Sequence, residues 1–266
     1  MAIKPPVLGV PPGMKQAGQR VDFRTNHFDL LVETKGYLLA WSRASRCPCT
    51  FGIEQSDHSD PNCPLCKGKG WIYFKASEDQ DLTGYIINTL QQFIIENNSA
   101  VVIRGIMTLL ENKQDSLDKI SNWVDGTARL TVRPENKLGY LDRIVGLDCL
   151  IVYNENVKAS GTSIIASRYP IVEINQIRSF DTVFSLDTDY EINDQGQIHW
   201  LETPPIVNTV LSIHYLCHPT WLIVNHPHAS RVTPVLMKTP TPKTPTGNPI
   251  DLVTQAIVAY EFLVEV

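Results

Sequence analysis

No run of about 18 apolar residues occurs anywhere in the chain, and its first residues, Met-Ala-Ile-Lys-Pro-Pro, lack the apolar core of a signal peptide. A membrane span and a secretory leader are not expected, so the protein is expected to be soluble and intracellular when made. An excess of positive charge is missing as well: 23 Lys and Arg stand against 28 Asp and Glu, a formal charge of −5. No global field draws such a chain to nucleic acid, and any contact with DNA has to be local or indirect. The sequence also lacks an H-E-x-x-H pair, a glycine-rich phosphate loop, a Ser/His/Asp order and an internal repeat of fixed period. Apolar residues are not scarce, at 43% of 266, so a sizeable core is within reach.

Against these absences, four of the six cysteines fall in one short segment, Cys47-Pro-Cys49 followed by Cys63-Pro-Leu-Cys66-Lys-Gly68-Lys-Gly70. Two close pairs separated by a polar stretch are the spacing of a tetrahedral thiolate site, and Cys47, Cys49, Cys63 and Cys66 are read as ligands of a structural Zn²⁺. Such a site has no open position for water or substrate, so it folds a piece of chain rather than running a reaction. The second pair is the stronger half, because Gly68 and Gly70 let the backbone return toward the sulfurs. The first pair has a single residue between its members, shorter than usual, and Pro48 stiffens it. Thirteen residues, Thr50 to Asn62, form the excursion between the pairs, and His58 within it is an alternative ligand. A disulfide and an iron or redox dithiol centre are the competing readings of the four sulfurs, so zinc against iron stays open. Arg43, Arg46, Lys67 and Lys69 flank the ligands where they offset a site charge of about −2. Cys149 and Cys217 lie in apolar strand-like runs and read as buried, inert thiols.

Residues 1–24, with Pro5, Pro6, Pro11 and Pro12, read as an extended N-terminal arm, and the proline-rich stretch 234–249 as a linker or second arm of polyproline II character. Between them lie a zinc-knuckle region, 25–80, and a β-rich body, 81–233, with a C-terminal helix or strand over 250–266. Short β-branched or aromatic runs fill the body: Thr127–Arg133, Cys149–Tyr153, Pro170–Ile177, Gln197–Leu201, Val210–Leu216 and Leu222–Asn225. Asp187 to Trp200 predicts a hairpin turning at Asn193 to Gly196. Leu82–Ile94 has both helical spacing and many β-branched residues, and the latter favour a strand. Helices are expected at Asn112–Ile120 and at Asp251–Leu263, the second started by Pro249 and Asp251. The fold class is mainly β, a β-barrel or β-sandwich-like body with few helices and a small zinc-knuckle insertion.

Five of the seven histidines, His199, His214, His218, His226 and His228, lie within thirty residues of one another. A metal-dependent hydrolase would take three of them and a base such as Glu202, but exposed strand faces and a turn at His226-Pro-His account for them more simply. A zinc-containing nucleic-acid-binding protein is the other alternative, with Lys75 joining the basic residues and Trp71 and Tyr73 stacking on bases. The competing role for Trp71 and Tyr73 is a miniature core beneath the knuckle.

Three stretches carry a resemblance to a family. Phe28-Asp-Leu-Leu-Val, Trp41 and the cysteine knuckle through Trp71-Ile-Tyr, then Gly126 to Ile144, then the hairpin unit Asp189-Tyr-Glu-Ile to His218-Pro-Thr-Trp221 resemble the head-to-tail connector (neck or collar) proteins of contractile-tailed bacteriophages. The similarity spans about residues 28–232, and the knuckle is its specific motif. It implies a non-enzymatic structural virion protein with no catalytic residues, forming a homo-oligomeric ring of six or twelve copies at the head-tail junction. Its implied partners are the portal or adaptor, the tail terminator or tube proteins, and genomic DNA passing through the lumen without sequence-specific binding, with no membrane. The implied location is the virion neck, assembled in the bacterial host cytoplasm. The acidic balance suits a channel through which DNA slides, because Lys and Arg contacts to phosphate are what hold DNA in place.

Overall fold

Leu38, Leu39, Ala40 and Trp41 are all buried, although neighbours on a strand point to opposite faces. A strand of this kind has to be covered on both sides, and the architecture supplies both covers. The structure is a computed structural model describing residues 25–50, 59–76, 84–109, 126–165, 167–228, 232–233, 250–251 and 253–264. The arms 1–24 and 234–249, the helix expected at Asn112–Ile120 and His58 lie outside the described residues.

Strands β1 (Tyr37–Arg46), β2 (Trp71–Lys75), β3 (Val101–Leu109), β4 (Thr127–Val132) and β5 (Arg143–Gly146) share one antiparallel sheet with two later strands. Its order is β2-β1-β3-β4-β16-β13-β5, where β13 is Thr220–His228 and β16 is Thr254–Tyr260. Because β1 also pairs with β5, six of the strands close into a barrel and β2 hangs from β1 outside the ring. Closure leaves those six without a free edge. Leu39, Trp41, Ile103, Leu130, Ile144, Ile223 and Val258 fill the interior. On the outside, Leu38, Ala40, Val102 and Val145 pack against Ile94 and Ile95 of helix α2 (Thr89–Asn97). Burying each of those isoleucines contributes about 1.5–3 kcal/mol.

The chain leaves the barrel after β5 and returns at β13, and the intervening residues build a second β unit. Strands β6 (Ile151–Lys158), β8 (Ile171–Arg178), β9 (Val183–Phe184) and β12 (Val210–Cys217) form a sheet ordered β6-β12-β8-β9. A smaller sheet, β10-β11-β7, comes from β7 (Ile164–Ile165), β10 (Tyr190–Ile192) and β11 (Ile198–Trp200). On β12, Leu211, Ile213, Tyr215 and Cys217 are fully buried while Ser212 and His214 alternate with them, the period of two that one covered face demands. Aromatic rings join the two cores: Trp221 stacks on Tyr260, Tyr260 on Phe262, and Phe262 meets Tyr153 at 5.2 Å. A two-residue pair, β14 (Val232–Thr233) with β15 (Ile250–Asp251), brings the chain to β16. Among the described residues no helix is long and apolar enough to cross a membrane.

The mainly β reading holds, and two of its local expectations change. From Thr89 the Leu82–Ile94 segment is α2 rather than a strand. Asn88 caps it, accepting the Gln91 N–H at 2.8 Å, while the Gln91 side chain accepts the Asn88 N–H at 2.9 Å, a reciprocal box that outweighs the β-branched content. The helix expected over Asp251–Leu263 is β16 followed by a 3₁₀ turn at Glu261–Leu263. Ala256, Ile257, Val258 and Ala259 are buried between β4 and β13, and two flanking ladders override the local start signal. An unanticipated helix, α1 (Thr25–Lys35), lies against β3 and is tied to the barrel by ion pairs of Arg133 with Asp29 and Glu33 and of Arg104 with Glu33.

Candidate metal centre

Past its pairing with β3 and β5, β1 runs on alone with β2, from Arg43 opposite Phe74 to Arg46 opposite Trp71. The two halves of the cysteine segment sit at the end of this hairpin. In the first half, Pro48 to Thr50 form one 3₁₀ turn, and the Thr50 N–H and hydroxyl both return to the Cys47 carbonyl, at 3.0 and 2.7 Å. That tight turn lets a spacing of one residue bring two thiols to the same point. In the second half, the Asp60 carboxylate accepts the Asn62 N–H, the Cys63 N–H donates to the Asp60 carbonyl, and the Lys67 and Lys69 N–H groups donate to the carbonyls of Cys63 and Cys66. Gly68 (φ 82°) and Gly70 (φ 75°) occupy the left-handed region, which reverses the chain without a Cβ clash. The Cys47 N–H donates to the Gly70 carbonyl at 2.8 Å and locks the halves together.

The four Sγ atoms lie within 4.8 Å of one another, with Cys47 to Cys63 at 3.6 Å and Cys49 to Cys66 at 3.5 Å. A tetrahedral site with metal–sulfur bonds of about 2.3 Å puts its sulfurs about 3.8 Å apart. A disulfide needs about 2.05 Å, and all six cysteines are free thiols. The donor set therefore fits a metal ion, and the four cysteines are close enough to hold one. Cys47, Cys63 and Cys66 are buried, Cys49 is partly exposed, and Ile72 packs against them. The N–H groups of Cys66 and Leu65 lower the Cys63 thiol to about 7, favouring the thiolate form that metal ions bind, whereas burial pushes Cys49 up to about 12.

Trp71 and Tyr73 are not the core beneath the knuckle. They alternate with Ile72 along β2, and Trp71 meets Tyr140 edge-on at 6.5 Å with the Arg46 guanidinium over its ring. The Arg143 guanidinium lies 3.9 Å above Tyr73. Both rings already carry a cation, which leaves less aromatic face for a base. Of the flanking cations, Arg43 lies over Trp41, and Lys69 is 3.8 Å from Glu261.

Among the described residues, no other group of three or more metal-ligating side chains comes together. His199 pairs with Glu191 at 2.8 Å on the small sheet, and His214 stands on β12 opposite Asn154 and Gln176. His218 is buried, with its Nδ1 hydrogen-bonded to the carbonyls of Gly146 and Cys149. The side chains of His226 and His228 lie outside the described residues. Burial pushes both Cys149 and Cys217 thiols up to about 12, as inert core cysteines require. Sequence reasoning missed Ile72 as the apolar floor, Glu261 as the partner of Lys69, and Asp142, whose carboxylate accepts the Ala44 N–H at the root of the hairpin. Compared with known proteins, the chain matches no family model and no curated protein.

Proposed function

We propose that this chain is a structural virion protein that forms a ring at the head-tail junction of a tailed phage, with Zn²⁺ as a structural ion on Cys47, Cys49, Cys63 and Cys66. The observation that carries the structural reading is the cysteine turn at the tip of the β1–β2 hairpin, where the hairpin has outrun the barrel ladder. A tip of that size has too little apolar content for a core of its own, and a closed thiolate site supplies the missing rigidity. With all four positions filled by sulfur, such an ion has no vacancy for substrate, which supports scaffold over catalyst. Zinc is the ion favoured by four thiolates in tetrahedral arrangement without redox chemistry. The resemblance of residues 28–232 to connector proteins supplies the location, the ring and the neighbours. The barrel gives each subunit a wall without open edges, suited to packing side by side around a DNA channel.

Native mass spectrometry of the purified full chain, before and after chelation, tests this reading. One zinc per chain in a ring of six or twelve copies is the expected result. Two metals on a monomer would point instead to a hydrolase built on the histidines. Salt-dependent binding of a DNA duplex by a one-zinc monomer would point to the nucleic-acid-binding alternative.

A further inference from the structure

Where the knuckle, the end of α2, β5 and the Arg168–Pro170 turn converge, a cleft of about 180 Å³ opens. Three cations line it, Lys69, Arg143 and Arg168, against one carboxylate, Glu261, so three positive charges less one negative leave +2. Glu261 is already engaged, with Arg143 Nη2 at 2.6 Å and Lys69 Nζ at 3.8 Å. Among the described residues Arg168 has no carboxylate at ion-pair distance, and its guanidinium lies 5.5 Å from the centre of the Tyr169 ring.

The polar lining is also incomplete. Tyr169 is only 6% exposed, and among the described residues its hydroxyl has no hydrogen-bond partner; the Nε of Arg143 is likewise buried and unpaired. A buried donor left unmet costs about 1–3 kcal/mol, more when it is charged, so an acceptor held in the cleft within reach of these two donors would be favoured. Arg143 Nη1 reaches Asn98 Oδ1 at 3.2 Å and Nη2 reaches Glu261, which holds the guanidinium plane in place without any ligand.

We propose that this cleft binds a phosphate group, with Arg168, Lys69 and Arg143 supplying the charge and Tyr169 and Thr220 supplying neutral hydrogen bonds. A tetrahedral oxyanion brings acceptors in several directions and a charge opposite to that of the lining. The site draws on three separate parts of the fold, so an occupant would also clamp the knuckle to the barrel and to the second β unit. This inference is independent of the virion reading, since it concerns a small ion and not assembly.

Calorimetric titration of the metal-loaded full chain with inorganic phosphate at low ionic strength is the test. Saturable binding is expected, with chloride at matched ionic strength giving none. Arg168→Gln should weaken phosphate by about tenfold or more, the scale of one charge-assisted hydrogen bond. Tyr169→Phe keeps the ring and should also weaken phosphate, by a smaller factor. Competition of a short single-stranded oligonucleotide with phosphate would identify the group as one carried on a nucleic-acid backbone, and lack of competition as the free ion. No saturable heat with phosphate, or the same affinity in the wild type and both variants, would overturn the proposal.

Discussion

The indole Nε1 of Trp41 donates to Asp142 Oδ2 at 2.8 Å, a buried bond between residues 101 positions apart. The same carboxylate accepts the Gly139 N–H at 2.6 Å through Oδ2 and the Ala44 N–H at 2.9 Å through Oδ1. Asp142 is 2% exposed, so one buried carboxylate ties the barrel interior to the turn before β5 and to the root of the cysteine hairpin. Asp142→Ala leaves three donors without their acceptor and should lower unfolding free energy by about 3 kcal/mol or more. Asp142→Asn, with one oxygen left to accept, should cost less. Urea denaturation measures both; a loss below about 1 kcal/mol for Asp142→Ala would contradict this role.

If the four cysteines hold the proposed ion, chelation should loosen the knuckle without unfolding the barrel, and so should replacing Cys63 by Ser. Residues Tyr37–Trp41 of β1 are held by β3 and β5, whereas Arg43–Arg46 pair with β2. Amide hydrogen exchange should therefore accelerate over residues 43–50 and 63–75 and stay slow over 37–41. Uniform acceleration through 37–41 would show that the ion supports the whole barrel.

Gly196 marks a second constraint. Its φ is 69°, and a Cβ there would lie 2.6 Å from the Ile171 nitrogen and 2.8 Å from its oxygen, while its carbonyl accepts the Ile171 N–H at 2.9 Å. Gly196→Ala meets both the left-handed penalty of about 1–2 kcal/mol and a backbone collision, so its cost should exceed the penalty alone. Thermal melting of this variant beside Gln195→Ala, an exposed neighbour, checks it: equal melting temperatures would refute the collision.

Stability should fall as pH drops below 6.5, in part because of His218. Burial lowers its pKa from the ordinary 6.5, against the opposing pull of the Gly146 and Cys149 carbonyls. The unfolded chain then takes up a proton before the folded one does, so this contribution is complete above 6.5 and is lost as pH falls toward the folded value. Denaturant titrations between pH 8 and pH 5 should show a shallower decline for His218→Gln than for the wild type. Parallel curves would remove His218 from the account.

Local chemistry was readable where it repeats a short-range rule. The β-branched and aromatic run Val210–Leu216 pointed to β12, and the turn residues Asn193 to Gly196 placed the hairpin, because strand-forming runs and turns are properties of a few adjacent residues. The cysteine spacing pointed to a common site for four sulfurs before any contact was known, since two short pairs can each form a turn on their own. What misled was local evidence that distant partners overrule: Asp251–Leu263 carries a helix start, yet its apolar residues fill a gap between β4 and β13.

The amino-acid sequence by itself determined the mainly β class, the hairpin and the two close cysteine pairs that point to one site, because each shows as a pattern among near neighbours in the chain. Only the tertiary structure decided the closure of β1 on β5, the carboxylate of Asp142 beneath Trp41 and the convergence of Lys69, Arg143, Arg168 and Glu261 on one cleft. Those relationships join segments tens to hundreds of residues apart, and each depends on two distant polar groups being buried together so that their mutual bond offsets the cost of desolvation, which no local pattern encodes.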